Sequence, residues 1–233
     1  MATIAANIQQ VHERIARACA VAQRPVQSVT LLTVSKTYSP DAVREAVAAG
    51  ERRFGENYVQ EGVDKIGALI EQRGELEWHL IGPLQSNKTR VVASQFDWVH
   101  TVDRLKIAER LSDQRPVELP PLQVCLQVNT SGEASKSGLL PAEVADVARA
   151  VVALPRLRLR GLMAIPEPSD DPAEQRAAHR KLRELFETLR GDGLDLDTLS
   201  MGMTADLEAA VLEGSTMVRV GTAIFGARQS PTP

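Results

Sequence analysis

About eight short apolar runs recur along this chain, and helical stretches alternate with them. They lie at 29–35, 52–55, 78–82, 98–102, 122–128, 159–165, 199–202 and 217–221. Strand and helix in alternation point to a parallel sheet, and eight such units are the number that closes a (β/α) barrel. The runs lack clean alternation, as expected of strands whose outer face is covered by helices. An open doubly wound sheet is the competing arrangement. It ranks lower because the first strand-helix turn, 35–40, carries no glycine fingerprint for a dinucleotide. The expected fold is α/β, a single parallel (β/α)8 TIM barrel spanning residues 1–233.

Local signals set the boundaries. Ile4, Ile8, Val11, Ile15, Ala18 and Ala22 recur at helical spacing, which predicts an amphipathic helix over 4–23 that Pro25 ends. This additional helix, within 1–27, is expected to pack on the barrel, and 229–233 reads as a short tail. Ser39 is a natural N-cap with Pro40 at the first helical position of a helix over 40–49, which Gly50 terminates. Further helices are expected from near Tyr58, after a cap at Asp103, over 141–153 and over 172–190.

Charge and cysteine usage narrow the partners. With 27 Lys+Arg against 30 Asp+Glu, the net charge of −3 gives no broad basic face for a nucleic acid. No stretch reaches the length of a membrane span, and the N-terminus lacks the basic and apolar regions of a secretory signal. Cys19 and Cys125 lie far apart without metal spacing, which points to a reduced, cytoplasmic setting. No coiled-coil seam stands out, so a monomer is expected. His12, His100 and His179 are scattered, with no triad or metal cluster in view.

The polar residues gather at the strand C-termini. Lys36 closes the first run, Glu56 and Asn57 follow the second, and Arg219, Gly221 and Thr222 close the eighth. In a parallel barrel these ends share one face, where active sites form. A lysine at the rim of an apolar interior can lose its proton near neutral pH, and the free amine is then a nucleophile for a carbonyl. The segments 200–206 and 219–226 run from strands seven and eight into helices, where barrels often hold phosphate. Ser200, Thr204 and Thr222 can each donate a hydroxyl there, and the glycines let backbone approach an anion. A Schiff-base lysine and a phosphate cradle on one face leave two fits: pyridoxal 5′-phosphate, or a class I aldolase acting on a sugar phosphate.

The stretches LLTVSK (31–36), FGENYVQ (54–60), WHLIGPLQSN (78–87), QVNT (127–130), GLMAI (161–165), SMGMTAD (200–206) and VRVGTAIFG (218–226) span almost the whole chain, in order. On them the chain resembles the pyridoxal phosphate homeostasis protein family, whose fold is similar to the barrel domain of alanine racemase. The resemblance implies that Lys36 forms a Schiff base with pyridoxal 5′-phosphate and that Ser200, Thr204, Gly221 and Thr222 help hold its phosphate. It implies Arg219 at the pyridine nitrogen, and Asn57 and His79 lining the ring pocket. Met163, Met201 and Gly202, within matching stretches, complete the expected cofactor-binding set. Threonine stands at 204 where the family usually has serine, and it keeps the hydroxyl.

Arginine cannot accept the pyridinium proton, so a cofactor facing Arg219 is a weak electron sink. A racemase also needs a second base, which alanine racemase takes from a tyrosine of a separate domain; this chain ends soon after Gly226. Tyr38 reads as a packing or loop residue. The expectation is a cofactor-holding protein of intracellular vitamin B6 and amino-acid homeostasis, without robust turnover and with no catalytic residue assigned. A racemase or a class I aldolase is the alternative. Its partners would be pyridoxal 5′-phosphate and, beyond it, the apo-enzymes that use the cofactor or a regulatory protein. Glu56 reads as half of a structural ion pair. Lys65, Lys88, Lys106, Lys136 and Lys181 read as solvated, although Lys136, within 131–138, could approach the barrel mouth.

Overall fold

The computed structural model describes residues 3–131 and 136–226. A tail at 229–233 lies outside the described residues. Eight parallel strands close into a barrel in sequential order: β1 Thr30–Val34, β2 Arg53–Glu56, β3 Glu77–Leu80, β4 Trp98–Val102, β5 Leu122–Gln127, β6 Leu157–Met163, β7 Thr198–Ser200 and β8 Met217–Val220. Closure is made by β8 on β1, with Leu32 opposite Arg219. The helices are α1 Ile4–Val21, α2 Pro40–Ala48, α3 Val59–Ala68, α4 Thr89–Gln95, α5 Leu105–Gln114, α6 Pro141–Val152, α7 Pro172–Gly191, α8 Leu207–Leu212 and α9 Thr222–Phe225. The expected barrel is the observed one.

Side chains alternate between the two faces of each strand. One set, including Phe54, Trp78, Leu80, Val99 and Leu162, joins the helices in the main apolar core. The other set fills the barrel itself. There Leu32, Val34, Ile81 and Met217 form one buried cluster, and Trp98, Cys125 and Met163 another. The remaining interior is polar: His79, His100, Ser200 and Arg219 are all buried.

Ser39 caps α2 as expected, its hydroxyl accepting from the Ala42 amide at 3.3 Å. Asp103 does not cap α5. Arg104 occupies that position, and the Asp103 carboxylate accepts from the Arg104 guanidinium at 2.7 Å instead. β6 begins two residues before the expected run, at Leu157, because Leu157 and Arg158 pair with Leu122 and Gln123 of β5.

The additional helix, α1, lies against α2, α8 and α9. Ile8, Val11 and Ile15 are its buried stripe. Polar contacts fix it to the site face: the Asn7 amide donates to the Ile224 carbonyl at 2.8 Å, and Arg14 donates to the Thr204 carbonyl at 2.9 Å. The same guanidinium forms a two-point pair with Glu208.

Candidate functional site

A cavity of about 300 Å³ opens at the C-terminal ends of the strands, lined by Lys36, Asn57, Thr204, Arg219, Gly221 and Thr222, with Tyr38, Met203 and aliphatic side chains completing the wall. That is the low end of the volume range of small-molecule sites. The sequence reading supplied the first six. It missed Val34, Ile81, Ile165, Met203 and Ala205, which carry no chemical signal distinguishing them from core residues.

Lys36 sits just past β1, half-buried, on a backbone with two constraints. Its follower Thr37 adopts φ of 70°, a left-handed conformation that costs a β-branched residue energy. The Thr37 amide donates to the Glu61 carboxylate, which holds it there. Glu61 in turn accepts from Lys65 at 2.7 Å, and Lys65 also donates to Glu56 at 2.8 Å and to the Ser35 carbonyl at 2.6 Å. The residues before and after Lys36 are thus tied to one buried ionic cluster. Glu56 is the structural ion-pair partner expected of it. Lys65 is not solvated: it is 2% exposed, because α3 turns it inward onto that carboxylate. Burial pushes the Glu56 carboxyl up from its usual range, against the opposing pull of Lys65.

Asn57 follows β2 and keeps its place because of Gly82. A methyl group there would stand 2.0 Å from the Asn57 carbonyl oxygen, so only glycine lets the two loops pass. Thr204 reaches the cavity through the turn after β7, which Asp206 closes. Its carboxylate accepts from the Met203 amide at 2.7 Å and from His179 at 2.8 Å. Burial alone would raise the Asp206 carboxyl, but the bonds from His179 and from the Met203 amide outweigh it and hold it below the ordinary range. A carboxylate whose folded pKa is depressed stabilises the fold above its unfolded pKa of about 3.9, and that contribution fades as pH falls through the folded value. Asp206→Asn is accordingly expected to cost about 1–2 kcal/mol at neutral pH. Urea unfolding at neutral and acid pH should show the gap between wild type and variant closing below about pH 4.

Arg219 points from β8 into the barrel beneath the cavity and is 4% exposed. It donates to the Ser200 carbonyl at 2.6 Å, the Ser200 hydroxyl at 2.8 Å and the Ala164 carbonyl at 2.9 Å. Burial pushes its pKa down to about 10, so it remains a cation at neutral pH.

Five expected site residues stand off the cavity wall. Ser200 is fully buried, and its hydroxyl is engaged by Arg219 and His100. His79 lies in the barrel interior, stacked on Trp98 at 5.1 Å and bonded to Glu77 and His100. Met163 packs with Trp98 and Cys125. Met201 alternates outward into the helix-facing core. Gly202 is required by packing: its φ is 95°, and a methyl group there would stand 2.4 Å from the Ala210 Cβ. Lys136 is not simply solvated. It lies near the barrel mouth in a neighbouring hollow with Gln127, Ser137 and Pro166, and it donates to Glu167 at 2.5 Å.

Tyr38 both packs and borders the cavity. Its ring stacks on Phe225 at 4.7 Å and its hydroxyl donates to the Gly226 carbonyl at 2.6 Å, which ties the β1 loop to the end of α9.

A parallel barrel with a lysine after its first strand, an arginine on its last, and hydroxyls on the loops after strands seven and eight defines an alanine-racemase-type barrel. The alanine racemase N-terminal domain family matches residues 2–229. A pyridoxal phosphate homeostasis protein of Pseudomonas aeruginosa is 60% identical over 233 residues, covering 100% of this chain and 99% of the relative. PipY of Synechococcus elongatus, crystallised with PLP bound, superposes with a TM-score of 0.80 at 39% identity, covering 93% and 100% of the two chains. An alanine racemase of Clostridium difficile shares the fold at 13% identity, with a TM-score of 0.71 over 94% of this chain and 57% of the racemase. The chain belongs to the pyridoxal phosphate homeostasis protein family.

Proposed function

We propose that this protein holds pyridoxal 5′-phosphate in the cavity as a Schiff base on Lys36 and serves intracellular vitamin B6 and amino-acid homeostasis without robust turnover. The observation that carries the reading is the donor set on one small cavity: an amine, an arginine and two threonine hydroxyls. The PLP-bound neighbour at 39% identity supports it. These residue types fit the group, with cations and hydroxyls for a phosphate and a ring nitrogen, and apolar walls for the ring. When bound, the cofactor would supply an electrophilic aldehyde and a ring able to withdraw electrons.

The chain's own residues restrain that chemistry. Thr204 and Thr222 would hold the phosphate, and Asn57 would border the ring. Arg219 offers only donors, so it cannot take a proton from the ring nitrogen. Of the two tyrosines, Tyr38 spends its hydroxyl proton on the Gly226 carbonyl and Tyr58 is 60% exposed, so neither is disposed as a second base. A cytoplasmic monomer that passes the cofactor to apo-enzymes, or reports it to a regulatory protein, is the role this arrangement suits.

The test is reduction with borohydride after mixing with pyridoxal 5′-phosphate, followed by peptide mapping. The expected product carries one reduced pyridoxyl group on Lys36. Label on another lysine, or none, would sink the assignment. Brisk racemisation of amino acids by the loaded protein would keep the cofactor and remove the non-catalytic role.

A further inference from the structure

Five side chains connect the cavity to the opposite end of the barrel. Arg219 Nη1 lies 2.8 Å from Ser200 Oγ, Ser200 Oγ lies 2.8 Å from His100 Nδ1, and His100 Nε2 lies 2.9 Å from His79 Nδ1. His79 Nε2 ends the series 2.9 Å from Glu77 Oε1. Glu77 opens β3 and borders a cleft at the N-terminal ends of the strands with Arg73, Asp97 and Arg160.

The direction of every bond in this chain is fixed by its two ends. Guanidinium has only protons to give, so Ser200 Oγ accepts. The single serine proton then goes to His100 Nδ1. His100 therefore carries its proton on Nε2 and donates to His79 Nδ1. His79 likewise carries its proton on Nε2 and donates to the Glu77 carboxylate, which can only accept when ionised. All donors and acceptors match only when both imidazoles are neutral. A proton added at His100 Nδ1 would face the serine oxygen and displace the hydroxyl hydrogen that now points there.

The surroundings favour that neutral state. Both histidines are fully buried. His79 is faced by Glu77, Asp97 and Arg53, and His100 by His79 and Arg219. Burial lowers both imidazoles, His100 well below its ordinary value, with Arg219 and His79 adding to the fall. Burial would raise the Glu77 carboxyl, but the His79 N–H and Arg53 overcome this and keep it ionised.

We propose that Ser200, His100, His79 and Glu77 are positioning residues for Arg219: a hydrogen-bond chain of single direction through the barrel that holds the guanidinium in one orientation, in which it would meet the ring nitrogen of pyridoxal 5′-phosphate. The proposal rests on the pyridoxal phosphate reading of the cavity. It assigns a role to two histidines and a serine that stand off the cavity wall.

Two measurements test it. In cofactor-free protein labelled with ¹⁵N-histidine, NMR should show His79 and His100 both neutral and both protonated on Nε2 from about pH 6 to 8, across the range where a free histidine titrates. An Nδ1–H form or a charged ring at either position would overturn the chain. The second measurement compares binding of pyridoxal 5′-phosphate with its 1-deaza analogue, which has carbon in place of the ring nitrogen. His100→Phe leaves the serine proton without an acceptor, so that Ser200 and Arg219 can turn, and is expected to weaken pyridoxal 5′-phosphate about tenfold, the worth of one well-oriented hydrogen bond at the ring nitrogen. The deaza analogue should weaken by less than about twofold, since it makes no bond at that atom. His100→Gln, with an acceptor for Ser200 and a donor for His79, should recover most of the loss. Ser200→Ala cuts the chain with a smaller change and should discriminate the two ligands as His100→Phe does. Equal weakening of both ligands, or no weakening of either, would overturn the proposal while leaving the cofactor reading intact. A wild type that binds neither compound would sink the cofactor reading and this proposal with it.

Discussion

Lys36→Ala protein, mixed with pyridoxal 5′-phosphate and reduced, is expected to carry no covalent label and to bind the cofactor on the order of a hundredfold more weakly. On the proposed reading, what would remain are bonds from cavity-lining groups such as Thr204, Thr222 and Arg219, each worth about 1.5–3 kcal/mol when charge-assisted and unable to replace a covalent link. The cofactor-free variant should unfold within about 1 kcal/mol of wild type, because Lys36 is half-buried and lies outside the packed core. Thermal shift separates the two effects. At about a hundred times its dissociation constant a ligand adds roughly 2.7 kcal/mol to the folded state. Wild type should show that increment, and the variant should show almost none at the same concentration. A variant that still retains reduced label would place the attachment elsewhere.

The second large effect lies behind Lys36. Lys65→Met keeps the length of the side chain but leaves Glu56 buried without its cation. Oε1 of Glu56 would retain the Ser35 hydroxyl at 2.6 Å, while Oε2 has no hydrogen-bond partner among the described residues. Removing one member of a buried pair typically costs about 3–5 kcal/mol. The sign with pH follows from the carboxyl. Losing Lys65 removes the group that opposes the burial-raised pKa of Glu56, so the raised value climbs further. A carboxyl raised in the folded state destabilises most at high pH, and the deficit shrinks as pH falls through that value. Chemical unfolding at pH values on both sides should show it. Glu56→Leu combined with Lys65→Met should recover much of the stability, since an apolar pair of similar volume is often neutral or better. The single variant should also hold pyridoxal 5′-phosphate less well, because Ser35 and Thr37, the neighbours of Lys36, lose a common anchor.

Residues 200 and 204 show why part of the site was readable and part was not. Both are hydroxyl residues after the seventh strand, equally able to grip an anion. Ser200 is the last residue of β7 and points down the barrel, where Arg219 and His100 use it. Thr204 lies in the turn beyond and reaches the cavity. A composition of donors near a strand end does not say which layer each occupies. His79 carries the same ambiguity: its position at the end of an apolar run fits either a ring contact or a buried histidine, and its partner His100 lies 21 residues away. Lys65 was misread for a related reason. One turn of helix decides whether a lysine meets water or Glu56, and the spacing of α3 alone does not fix its rotation against β2.

The sequence by itself determined the barrel and the face on which its chemistry would gather. Alternating strands and helices admit few parallel closures, and Lys36, Asn57, Arg219, Gly221 and Thr222 stand at strand ends whichever way the side chains pack. The tertiary structure alone decided what fills the barrel. The bond between Ser200 and His100 spans 100 positions and exists only because closure brings β4 and β7 across a common interior. Such pairings depend on register and on the depth of each side chain within the cylinder, and neither is encoded in a period of two.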